Sequence, residues 1–257
     1  MSQQFTPLYV RGYAFFSPEY ATIDDAFGDQ KREPIEPKFP IVPGRLRRFT
    51  SRVTQMHLEV AGDALTRASE PPSGVVAVFS TAMGELSTAI ELLDGIFTEH
   101  ATSAARFTQS VHNTPSGLFS IATGNTMPST TVVTGPNTFA TAILEAALLA
   151  QADTVLLTCA DDAFPKVLRE NVGPSLAVAI VLSRDKKNAL AKLTLELRDS
   201  AASEPALPEH LAPNAAALAL ITVKSIEKKS RSSVELALSP LTSIVIQCEP
   251  MSSAVVT

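Results

Sequence analysis

Thr130-Thr131-Val132-Val133-Thr134-Gly135-Pro136-Asn137-Thr138-Phe139-Ala140-Thr141-Ala142-Ile143-Leu144-Glu145-Ala146-Ala147-Leu148-Leu149-Ala150 is the stretch on which the fold turns. Its first residues are β-branched and uncharged, which suits a short strand. Gly135-Pro136-Asn137 is a turn. From Thr138 to about Gln151 the chain predicts a helix that is apolar nearly all round, and such a helix belongs in the middle of a domain. Working outward, Thr154–Cys159 and Leu176–Leu182 are continuous apolar runs, as expected of strands buried on both faces. Upstream, Val75–Phe79 is another, followed by the turn Ser80–Gly84 and a helix placing Leu86, Ala89, Ile90, Leu93 and Phe97 on one face. Leu8–Phe16 reads as a strand, and Lys192–Arg198 as a strand with one wet side. Alternating strands and helices predict an α/β fold, with a mixed, mostly parallel sheet covered by helices.

The remaining segments are less regular. Residues 28–44, with Pro34, Pro37, Pro40 and Pro43 three apart, predict an extended surface loop. A helix is expected from Arg45 to Ala68, carrying Leu46, Phe49, Val53, Met56, His57 and Val60 at steps of three and four. Residues 98–128 read as irregular and polar. After a linker at Ser200–Pro208, a helix is expected over Ala215–Ile221 and a strand pair over Val234–Leu238 and Ile244–Cys248. The organisation expected is a main domain over residues 1–198, with residues 199–257 as an appendix packed on it.

Composition narrows the function. The 257 residues are 45% apolar and 18% charged, enough for a sizeable core and too apolar for a disordered chain. The net charge is −5 and the longest basic cluster is Arg45-Leu46-Arg47-Arg48, so nucleic-acid binding is not expected. Two cysteines make no disulfide framework, and the N-terminus carries no basic start or apolar run, so a reduced cytoplasmic setting is expected. No run of 18 apolar residues predicts a membrane span. The four histidines and two cysteines lack metal-ligand spacing, and Gly12, Gly84 and Gly135 make no phosphate loop, so no metal or cofactor is expected.

One ordered set is more specific. Ser110-Val111-His112-Asn113-Thr114-Pro115-Ser116-Gly117, Ser120–Gly124, Pro128–Val132, then the Gly135 turn and buried helix resemble the N-terminal half of the β-ketoacyl synthases, of thiolase fold. Arg48–Thr54, Val75–Gly84 and Asp153–Asp162 extend the resemblance, which runs from about Leu8 to Arg198. The Ser-Val-His-Asn block is similar to the synthase-like chain length factors of aryl polyene clusters. The resemblance implies a nucleophilic Cys at the start of the buried helix, where amide donors and the helix dipole favour a thiolate. That position falls on Pro136, and the second half that would supply two active-site histidines is absent. The resemblance therefore implies a non-catalytic subunit that pairs with a full-length β-ketoacyl synthase and meets acyl carrier protein through it. It also implies that Glu85, Thr88 and Leu92, with Ala89 between them, line the tunnel for the growing chain, joined by Phe107 or its neighbour Arg106. The strand Ser129, Thr130, Thr131, Val132, Val133, Thr134 would be the subunit interface.

Blander readings stand beside these. His112 and Asn113 order their loop by side-chain-to-backbone hydrogen bonds. His57 is a core histidine, His100 a helix-end residue, and Cys159 a buried structural thiol. Leu86, Ile90 and Leu93 belong to the core. A second function class is a small acyltransferase or hydrolase using Thr138 or Cys159 with His112. A third is a homodimeric protein that binds acyl groups or acyl carrier protein.

Overall fold

The computed structural model describes residues 2–150, 153–168, 170, 172–203 and 205–251. A short strand, β1 (Ser2–Gln4), precedes β2 (Leu8–Phe16), whose residues alternate between buried and half-buried. α1 (Ile23–Phe27) starts at a capping box in which Thr22 and Asp25 exchange hydrogen bonds. The proline-bearing loop follows, and it runs extended as the sequence predicts. The helix expected from Arg45 is broken. Gly44–Phe49 forms a 3-10 turn, and α2 covers Arg52–Ala68. The cause is Ser51, whose hydroxyl accepts the Thr54 amide at 3.1 Å and starts a new helix there.

β3 (Val76–Ser80) leads to α3 (Leu86–Glu99) and α4 (Ala104–Phe107). Residues 98–128 are not irregular throughout, because α5 (Thr114–Thr123) lies within them. Pro115 in its first turn and Gly124 in the left-handed conformation at its end punctuate it, and Leu118 and Phe119 bury one side. β4 (Ser129–Val132), α6 (Thr138–Leu149), β5 (Val155–Asp161), β6 (Leu176–Ser183) and β7 (Ala191–Arg198) follow. Gln151, the expected end of α6, falls outside the described residues. The last segment forms α7 (Ala217–Glu227) and the hairpin β8 (Ser232–Ser239) and β9 (Thr242–Pro250).

The strand order is β4-β3-β5-β6-β2-β7-β9-β8, with β1 alongside β7. The sheet is mixed, and its parallel part is β4-β3-β5. The other pairings are antiparallel. Parallel neighbours require a crossover, and the helices between β3 and β4 and between β4 and β5 provide it. β5→β6 and β8→β9 return directly, so the parallel part is smaller than the alternation of strands and helices suggests. Helices cover both faces. Phe139, Ile143 and Ala146 of α6 and Leu220 and Val223 of α7 pack with Val78, Leu157 and Ile180. On the other face, Met56, Val60 and Leu65 of α2 pack with Phe79, Leu156 and Phe119. This double covering is why β5 and β6 are buried along their whole length.

α2 touches β2 backbone to backbone. A Cβ built on Gly12 would stand 2.4 Å from the Ala64 carbonyl oxygen and 2.8 Å from the Ala68 nitrogen. Only glycine permits that approach.

Candidate functional site

The C-terminal ends of the parallel strands β3, β4 and β5 come together, and in open α/β sheets that is where ligands bind. The turn after β3 is built by Asp161, the last residue of β5. Its carboxylate accepts from the Thr81 hydroxyl at 2.6 Å and from the Ala82 amide at 2.8 Å. The Thr81 hydroxyl in turn accepts the Gly84 amide at 2.9 Å. Gly84 has φ +61, and His112 crowds the space its Cβ would need. Burial pushes the Asp161 carboxyl up to about 6, against the pull of the Thr81 hydroxyl and the Ala82 and Met83 amides.

Two clefts flank this turn. The first, about 330 Å³, opens between the N-termini of α2 and α3, with α4 and the end of β5 as walls. Glu85 and Thr88 line it with Ser51, Arg52, Arg106 and Asp162. Glu85 is buried, and the Thr54 hydroxyl donates to its Oε1 at 2.6 Å. Its Oε2 is buried without a hydrogen-bond partner. Burial raises the Glu85 pKa; the hydroxyls of Ser51, Thr54 and Thr88 oppose the rise and Asp162 adds to it. The second cleft, about 580 Å³, is more apolar. Pro136 and Asn137 form part of it, with Leu207, Pro213 and Leu218 from the C-terminal segment. Met83 and Phe164 belong to both clefts.

The residues singled out in the sequence divide accordingly. Pro136 is exposed in the 3-10 turn Gly135–Asn137 that leads into α6. Thr138 is fully buried, and its hydroxyl is engaged: it donates to the Thr81 carbonyl at 2.9 Å and accepts the Thr134 amide at 3.0 Å. Cys159 is buried inside β5, where desolvation and the nearby Asp161 push its thiol well above the ordinary range. His112 is exposed, and among the described residues no hydrogen bond joins it to either. The structure therefore assembles no nucleophile with a base from Thr138, Cys159 and His112.

Among the described residues, no side-chain hydrogen bond from His112 or Asn113 orders their loop. The Asn113 side chain makes no capping bond. Its carbonyl instead accepts the Ser116 hydroxyl at 2.9 Å, and Thr114 donates to the Val111 carbonyl at 2.7 Å. Short hydroxyls beside the backbone do the work assigned to the imidazole and amide. His57 is fully buried; Nδ1 hydrogen-bonds Thr158 Oγ1 at 2.9 Å and Nε2 has no partner. His100 caps the end of α3 in the left-handed conformation.

α3 is turned over relative to expectation. Thr88 and Leu92 face inward with Glu85, Ala89 is half-buried, and Leu93 and Phe97 are 53% and 76% exposed. Leu86 and Ile90 are only half-buried, so this face is not core. The reason is that α3 is anchored at its start by the Glu85–Thr54 bond and packs mainly on α4, not on the sheet. Phe107 is 64% exposed, while Arg106 reaches the first cleft and pairs with Glu91. β4 is an edge strand, bonded to β3 alone; Val133 and Thr134 lie just beyond it. Read from sequence, Asp161 and Asp162 follow the buried Cys159 as a polar loop; the structure gives Asp161 a role in building the turn after β3. It was legible as an acid at a strand end, but its role depends on β3 being the neighbour. Among the described residues no group of His, Cys, Asp and Glu is placed to hold a metal, and no helix is long and apolar enough to cross a membrane.

The family pattern described as "Beta-ketoacyl synthase, N-terminal domain" matches residues 24–237. The chain belongs to the β-ketoacyl synthase family. Solved structures of that family's thiolase-like fold match it nearly end to end. One is a chain of the ketosynthase ApeO in complex with its chain length factor ApeC from Xenorhabdus doucetiae, at 18% identity and TM-score 0.68, covering 94% of this chain and 99% of that one. The ishigamide ketosynthase/chain length factor matches at 13% identity and TM-score 0.68, covering 96% and 100%. A complex of a type II polyketide acyl-carrier protein with its hexaketide-bound ketosynthase, AntDE:AntF, matches at 10% identity and TM-score 0.73, covering 96% and 100%. No curated protein sequence matches the chain. The fold is therefore the thiolase-like fold of the ketosynthases.

Proposed function

We infer that this chain is a non-catalytic chain length factor. It pairs with a full-length β-ketoacyl-acyl carrier protein synthase in the cytoplasm and shapes the cavity for an acyl or polyene chain held on acyl carrier protein. The observation that carries this reading is Pro136. The position where the resemblance sets a cysteine holds a residue with no nucleophile, exposed beside an apolar cleft whose lining contains no histidine. The partner supplies the cysteine and the histidines.

A hydrolase or acyltransferase reading is poorly supported, since Thr138 is doubly hydrogen-bonded and Cys159 is held as a buried thiol. The test is reconstitution. The pure chain is expected to give no decarboxylative condensation of malonyl and acyl units, and Pro136→Cys is expected not to restore it, because catalytic groups act as a unit. Co-expression with a full-length β-ketoacyl synthase of its own pathway is expected to give a stable complex that condenses. Condensation by the pure chain refutes the reading. A stable homodimer that ignores the synthase favours the acyl-binding alternative.

A further inference from the structure

Asp161 holds the turn after β3 with a group that can change what it accepts. It is 6% exposed. Its Oδ1 takes the Thr81 hydroxyl at 2.6 Å, the Ala82 amide at 2.8 Å and the Met83 amide at 3.4 Å, and its Oδ2 takes the Ala82 amide at 3.0 Å. Among the described residues nothing else accepts either amide. Thr81 is pinned from other sides: its amide donates to the Val132 carbonyl at 3.1 Å, and its carbonyl accepts the Thr138 hydroxyl at 2.9 Å. The stretch that Asp161 alone ties down is therefore Ala82-Met83-Gly84. Ala82 belongs to the second cleft, Gly84 to the first and Met83 to both.

Every one of these partners is a donor, so the arrangement fits an ionised carboxylate, which only accepts. A proton added to either oxygen faces an amide, and a backbone amide cannot reverse. The Thr81 hydroxyl can reverse, but its oxygen already accepts the Gly84 amide at 2.9 Å, and its own proton is then left without an acceptor. Protonation thus removes at least one tie from the turn. Burial pulls the other way and favours the neutral acid, with Asp162 adding to it, so the two forms stand close in energy near pH 6. The groups around it leave that balance in place. Asp162 is drawn toward Arg52 at 3.6 Å and the Ser175 hydroxyl at 2.5 Å, and Glu85 bonds the Thr54 hydroxyl. Cys159 and His57 stay neutral through burial, and His112 meets the turn on its far side, at Gly84. Among the described residues no cation pairs with Asp161 itself.

We propose that Asp161 is a proton-operated latch: ionised, it ties Ala82-Met83-Gly84 to β5, and protonated, it frees that turn to move and reshape the wall the two clefts share. The device goes beyond the chain length factor reading and does not depend on it.

The test is NMR of the purified chain, alone or with its synthase, from pH 4.5 to 7.5. The chain has five methionines, so methyl-¹³C methionine labelling gives few signals. Met83→Leu assigns one of them, and Met56, fully buried in α2, serves as the control. The Met83 methyl and the Ala82 amide proton are expected to move together with one midpoint near pH 6, the amide upfield as its bond to the carboxylate is lost, while Met56 stays in place. Asp161→Asn should hold the Met83 methyl at its low-pH position throughout, because the asparagine NH₂, like the acid proton, sets a donor against the turn. A Met83 methyl that does not titrate in the wild-type chain overturns the proposal, and so does a transition that survives Asp161→Asn. If Asp161→Asn does not fold, the wild-type titration decides: an Ala82 shift without a Met83 shift means that the proton is taken up with the turn still tied, and the latch is refuted.

Discussion

Asp161 and His57 are ionisable groups that the fold buries, and their effects on stability oppose each other. The Asp161 carboxyl is pushed up to about 6, so the folded chain holds a proton there that the unfolded chain has released. Its contribution is present at low pH and is lost as pH rises from about 4 to about 6. His57 is the reverse. Burial holds it down to about 3, so the unfolded chain takes up a proton first, and stability is lost as pH falls below 6.5. The two slopes largely cancel between pH 4 and 6. Asp161→Asn should leave His57 unopposed and make stability fall with acid across that window. His57→Phe should make stability fall as pH rises across it, by roughly 3 kcal/mol in total. Urea unfolding midpoints from pH 4 to 7.5 check both, and parallel profiles for the three proteins would remove the account. The burial of His57 was legible from helical spacing, since it falls between Val53 and Val60 on the inward side of α2. The Asp161 role was not, because sequence spacing does not state which strand lies beside β5.

At the scale of elements, the two edges of the sheet are treated differently. β8 is flanked by Lys228, Lys229 and Arg231, carries Glu235, and has a register shift between Ala237 and Ser239. Charges and bulges of this kind keep an edge from pairing with another chain. β4, Ser-Thr-Thr-Val, has none of them, and α3 and α4 leave Leu93, Phe97 and Phe107 exposed. Val132→Lys should therefore weaken association with the synthase while far-UV circular dichroism stays unchanged, whereas an added lysine on β8 should leave both association and circular dichroism as they are. Size-exclusion of the co-expressed pair reads the difference, and an intact complex with Val132→Lys would move the interface elsewhere. Thr88→Trp should shorten the product of the assembled complex, because the ring enters the cleft that Thr88 lines. Leu92 faces the protein instead, so Leu92→Trp is expected to cost about 1–3 kcal/mol of stability by overpacking. The existence and period of α3 could be read from sequence, but not which side it turns inward. Hydrophobic spacing assumes that the apolar face meets the chain's own core. Here Glu85 and Thr54 fix the opposite side, and the apolar residues Leu93 and Phe97 are left exposed.

For the whole molecule, the strands whose residues form continuous apolar runs were legible, because burial on both faces leaves that signature. The growth of the sheet beyond β7 was less so, since β9 joins through pairing with β7 that local pattern does not encode. The helix α2 ties these scales together. One of its ends, at Ala64 and Ala68, rests on Gly12; the other, capped by Ser51, forms a wall of the first cleft. At 1.5 Å per residue the helix is a rod of roughly 25 Å. A rod pinned at its far end acts as a lever. A single methyl at Gly12 must lift the pinned end off the strand, and a rigid helix tilts rather than bends to absorb it. Gly12→Ala should thus act at a distance. Beyond a general loss of stability, it should alter which chain lengths the assembled complex releases, and temperature should accentuate the change as the seating loosens. A mutational survey scoring product profile would then find sensitive positions in two separate places, around the cleft and at the opposite end of α2.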